Sequence, residues 1–118
     1  MRSRPGQSGP RSLEVDGTTV AHVIVADTFG TRLRGLAYRR RLPEALILRP
    51  SNSVHGVGMF RVIDVAVLDA QGTVLCVLML RPFGMTAPRR RAASVLEAPR
   101  GSFDRWGLVA GSTVVVRD

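Results

Sequence analysis

The stretch from Val62 to Leu80 leaves this chain the fewest structural alternatives. Val62 to Asp69 is an apolar run interrupted by one acid, Asp64. Ala70-Gln71-Gly72 follows, and Thr73 to Leu80 is apolar again. Two apolar runs of strand length around a glycine-bearing turn predict a β-hairpin. A second hairpin is predicted where Leu13-Glu14-Val15 and Thr19 to Ala26 flank Asp16-Gly17, a dipeptide suited to the left-handed backbone of a two-residue turn. In the longer arm Val20, His22, Ile24 and Ala26 share one face, and Ala21, Val23 and Val25 the other. Neither face is polar, so this strand is expected to be covered on both sides, with His22 a hydrogen-bonded structural residue.

The remaining runs are short. Ala45 to Arg49, Ala93 to Glu97 and Thr113 to Arg117 read as strands, and Val54 to Met59 as an irregular one, because Gly56 and Gly58 weaken pairing. One helix is predicted over residues 29–38. Phe29, Leu33, Leu36 and Ala37 form its apolar stripe, Asp27 or Thr28 caps it, Arg39-Arg40-Arg41 suits its C-terminus, and Pro43 stops it. Gly101 to Gly107 has room for one further helical turn capped by Ser102. Arg81 to Arg91, with two prolines and a glycine, is expected to be an exposed loop. The fold class is therefore mainly β (β-rich α+β). The expected architecture is a compact sandwich or barrel of about seven or eight short strands with one short helix packed on it. Residues 1–12, rich in Arg, Gly, Pro and Ser, are expected to form a disordered basic arm, and residues 13–118 a single globular domain.

Composition narrows the function classes. The 118 residues are 45% hydrophobic and 22% charged, as in ordinary globular proteins. The single cysteine, Cys76, allows no internal disulfide and no zinc cluster; within its apolar run it is expected to be a buried, inert thiol. The formal charge is +8, yet all 17 basic residues are arginine and most are scattered. No aromatic residues interleave the arginine runs, so nucleic acid is not the expected partner. No apolar stretch follows Arg2 and Arg4 as a signal sequence would have it, and the longest apolar run, Val74 to Leu80, is far short of a membrane span, so a cytoplasmic monomer without membrane contact is expected.

Asp64 sits in an apolar strand, where a carboxylate is costly unless it is paired or hydrogen-bonded. Arg32 and Arg39, seven residues apart, share a face of the predicted helix and are candidate partners, which makes a structural Arg–Asp clamp the simplest reading. The functional alternative adds His55, whose imidazole beside a carboxylate suits acid–base work or ligand orientation. Gly56 permits close approach of a ligand to the backbone. Two histidines without a cluster of acids or cysteines do not make a metal site, and Met59 is read as a core filler rather than as a soft-metal ligand. No cofactor is implied, since phosphate-binding glycine loops and a Gly-x-Ser-x-Gly elbow are both missing.

Several of these residues fall in a pattern that resembles the family called domain of unknown function 192. The pattern is carried by Arg32, Gly35, Leu36 and Arg39; by Ser53, Val54, His55 and Met59; by Ile63, Asp64, Val65, Leu68, Asp69 and Gly72; and by Val95, Leu96, Glu97, Ala98, Gly101, Gly107, Leu108 and Gly111. The chain departs from it at Gly56, where members often carry Thr, at Val62, where Pro is usual, and at Ala37, where Met is usual. The resemblance implies a β-rich fold of strands around one helix and attaches no established reaction. Three readings stay open. The first is a binding module for a small molecule or peptide motif, with Arg32, Arg39, His55, Gly56, Met59 and Asp64 at its pocket. The second is an enzyme using His55 and Asp64 as an acid–base pair. The third, ranked last, is an interaction protein that binds acidic partners or nucleic acid through its arginine-rich segments.

Overall fold

In the computed structural model, residues 11–26, 43–50, 62–81 and 90–118 are described. They form seven strands and one helix: β1 (Arg11–Val15), β2 (Thr18–Ala26), β3 (Leu46–Leu48), β4 (Ile63–Leu68), β5 (Val74–Leu80), β6 (Ser94–Pro99), α1 (Ser102–Trp106) and β7 (Val114–Arg117). The strands make one sheet in the order β5-β4-β6-β3-β2-β1-β7. Its pairs are antiparallel except β2 with β3, which run parallel. The sheet curls until its two ends meet at one corner, where Thr73 bridges Thr113. There Val74 donates to the Ser112 carbonyl at 2.8 Å, Gly111 to Val74 at 2.8 Å and Val114 to Gly72 at 2.9 Å. The β-rich barrel-like expectation holds, and so do both hairpins.

Residues opposite one another across neighbouring strands share a face. One row therefore runs Ile24, Leu46, Glu97, Val65, Leu78, and the next, on the other face, Val25, Ile47, Leu96, Ala66, Val77. Each face carries its own apolar cluster. Leu46, Leu48, Val65 and Val95 belong to one; Val25, Ile47, Leu96 and Ala66 belong to the other, together with Phe103 and Leu108 from the α1 region. All six residues of β4 are buried, as a strand covered on both faces requires.

Several local expectations need correction. β1 begins at Arg11, so Arg11 and Ser12 are not part of an arm: they pair with Val23 and His22 on one side, and Ser12 also pairs with Arg117. His22 is exposed. Only the C-terminal part of β2, beside β3, is covered on both faces; nearer the hairpin one face meets solvent. Cys76 is half-buried rather than buried, because β5 is an end strand of the sheet. The predicted helix over 29–38 and the irregular strand over 54–59 lie outside the described residues.

Candidate functional site

Asp64 is the second residue of β4 and faces the same side as Ala98 and Met79, its neighbours in β6 and β5. It is buried, and its Oδ2 accepts two backbone hydrogen bonds, from Gly101 N at 3.1 Å and Phe103 N at 3.0 Å. The reason lies in α1. The residue before this helix is Gly101, which has no side chain to cap the free N–H groups of the first turn, and no cap comes from α1 itself. A carboxylate reaching across from β4 supplies the acceptor and places negative charge at the positive end of the turn. Ser102, expected as the cap, lies inside the helix, and its hydroxyl donates to the Pro99 carbonyl at 2.6 Å while accepting from Arg105 Nη2 at 3.2 Å. Phe103 thereby enters the core and packs against Trp106 with ring centroids 5.7 Å apart.

A second acid is buried more deeply. Glu97 lies in β6, flanked by β3 and β4, opposite Leu46 and Val65, with 0% of its surface exposed. Since Val65 shares its face and Asp64 precedes Val65, the two carboxylates point to opposite sides of the sheet. Glu97 has an interaction partner, as a carboxylate in such a setting must. The signal that singles out Asp64, an acid inside an apolar run, is equally present in Val95-Leu96-Glu97-Ala98. Of the predicted site residues, Asp64 lies in the described part; Arg32, Arg39, His55, Gly56 and Met59 lie outside the described residues. Among the described residues no group of three or more His, Cys, Asp or Glu is placed to hold a metal ion.

Two further acids tie turns together. Asp69 Oδ1 accepts from Gln71 N and Thr73 N, both at 2.9 Å, which fixes the β4–β5 turn. Asp16 Oδ1 accepts from Thr113 N at 2.8 Å, and Asp16 N donates to the Thr113 carbonyl at 2.9 Å. The β1–β2 hairpin is thus joined to the corner where the sheet ends meet.

Residues 11–116 match the family DUF192, described as "uncharacterized ACR". The chain belongs to DUF192. A UPF0127 protein of Pyrococcus horikoshii is 33% identical over 84 residues, covering 67% of this chain and 73% of that protein. The UPF0127 protein of Pyrococcus furiosus is 31% identical over 91 residues, covering 73% of this chain and 78% of its own. A Sinorhizobium meliloti crystal structure, named a "putative transcription regulator", superposes with a TM-score of 0.79 at 20% identity, over 92% of this chain and 94% of that one. At that identity the likeness speaks for the fold alone. In this DUF192 chain the pattern residues Asp64, Asp69, Gly72 and Gly101 all take part in hydrogen bonds that hold turns, the helix start or the sheet corner. The described part of the family pattern is thus largely a specification of the frame.

Proposed function

We propose that this DUF192 chain is a binding module for a small molecule or short peptide motif. In this reading His55, Gly56 and Met59, with Arg32 and Arg39, line the pocket, and of the two buried acids, which face opposite sides of the sheet, Glu97 is the one counted with it. The observation that carries it is Glu97. A carboxylate wholly buried in the middle of an apolar sheet face is expensive and contributes little to stability compared with an apolar residue of its size, so its presence favours a role in holding other polar groups. Arg32 and Arg39 make carboxylates and phosphates the first ligand class to consider, since guanidinium groups bind both through paired hydrogen bonds. Asp64 supports binding over acid–base chemistry, because its Oδ2 is engaged by the Gly101 and Phe103 amides.

The test is a thermal-shift screen of sugars, nucleotides, amino acids, small carboxylates and divalent metals against wild type, His55→Ala and Glu97→Gln. A ligand at 100 times its Kd stabilises the native state by about 2.7 kcal/mol, which raises Tm by roughly 10 °C in a domain of this size. The expected result is a ligand that shifts wild type and loses its effect on folded His55→Ala. A shift of equal size in both variants would refute the pocket.

A further inference from the structure

The sheet has two end strands, and they differ in how they are protected. Exposed strand edges are templates for pairing with another chain, and proteins usually blunt them with charge or proline. β7 is blunted: Arg117 pairs with Glu14, and Asp118 with Arg11, at the end of the strand. β5 is not. Its seven residues, Val-Leu-Cys-Val-Leu-Met-Leu, contain no charge, proline or glycine. Pairing at the corner uses residues 72–74 and 111–114; beyond Val74, β5 has no second neighbour among the described residues. On that stretch Val77 is 39% exposed and Met79 60%, while Cys76 and Leu78 are half-buried.

We propose that β5 is the interface of a two-fold dimer, in which β5 of a second copy of this chain lies antiparallel beside it and continues the sheet. A second copy fits because the strand is complementary to itself. In a pairing centred on Val77, Val77 meets its own equivalent, Leu75 meets Met79 and Cys76 meets Leu78, so every cross-strand pair is apolar. In this register Arg81, the charged residue that follows the strand, falls opposite Thr73 of the second copy rather than opposite another arginine. The corner occupies Val74, which would meet Leu80, so it limits the new pairing to residues 75–79. So short a ladder buries less than the ~1,200 Å² of a standard stable interface, which makes the dimer a concentration-dependent one. The proposal departs from the monomer expected of the sequence and is independent of the ligand pocket.

Sedimentation velocity on the full chain, over about two decades of concentration up to ~100 µM, where a complex of micromolar Kd is mostly formed, tests it. Wild type is expected to pass from monomer to dimer as concentration rises. Val77→Lys and Met79→Lys, both at exposed positions, are expected to stay monomeric with Tm unchanged. In a double variant, Cys76→Ser with Val77→Cys, mild oxidation is expected to give a disulfide-linked dimer, because position 77 meets its own copy. Wild type that stays monomeric throughout, as a β5 reserved for a peptide of another protein would require, overturns the proposal. So does a dimer that persists in both lysine variants, or a dimeric double variant whose introduced thiol does not cross-link.

Discussion

Gly72 and Gly17 have nearly the same backbone conformation, φ +85° and +87°, in very different surroundings. A Cβ added at Gly17 would meet nothing within 4 Å; one added at Gly72 would lie 2.4 Å from the Val114 carbonyl oxygen. Alanine at either site incurs the cost of a left-handed backbone, about 1–2 kcal/mol. At Gly72 the strands must also separate by roughly 1 Å to restore an ordinary carbon–oxygen contact. That strains the Val114-to-Gly72 hydrogen bond and its neighbours at the corner, each contributing about 1 kcal/mol. Gly72→Ala should therefore lose about 3–4 kcal/mol and Gly17→Ala about 1 kcal/mol. With about 4 °C of Tm per kcal/mol, the two variants should separate by roughly 10 °C. Urea unfolding measures both losses through the midpoint at constant m. Because the conformational cost is common to both, the difference isolates the close approach at the corner. Equal losses would show that the sheet ends do not meet there.

Two other substitutions test the frame. Asp64→Ala leaves the Gly101 and Phe103 amides without their acceptor and should cost about 2–4 kcal/mol; Asp64→Asn, which retains an oxygen, should recover about half of that in the same urea titration. Near-native stability in Asp64→Ala would mean that the cap on α1 is dispensable. Asp69→Ala removes two turn bonds in an exposed to part-buried setting, should cost about 1 kcal/mol, and should leave the cooperativity of unfolding unchanged; a loss as large as that of Asp64→Ala would contradict that setting.

What is legible in advance depends on whether the signal is local. The hairpins are legible because Asp16-Gly17 and Asp69-Ala70-Gln71-Gly72 carry their turn chemistry in adjacent residues, and strand positions because apolar runs end at turn signals. Exposure is not. Cys76 and Val77 look like core in a seven-residue apolar run, and only the strand order puts them at an end of the sheet. His22 departs from expectation for the same reason, since what covers β2 is decided by β3, more than 20 residues later. The need of Asp64 for hydrogen bonds is written in its apolar neighbours, but the identity of its partners is not. They are backbone amides 37 and 39 residues away, and an amide has no signature in sequence because nearly every residue has one.

The two buried acids show why the pattern of a family and its site should be separated. Asp64 and Glu97 occupy equivalent settings in sequence, each inside an apolar strand, and they are one residue out of direct register, since Asp64 faces Ala98 and Val65 faces Glu97. That offset sends them to opposite faces. On one face the carboxylate meets α1, and its role is accounted for by two backbone hydrogen bonds. On the other it lies among Leu46, Val65 and Val95, where a side chain of the same size without charge would pack at lower cost. A position that only had to fill the core would be as well served by leucine or methionine. Glu97 has an interaction partner of its own, so the charge at this position is kept for what it holds and not for filling the core.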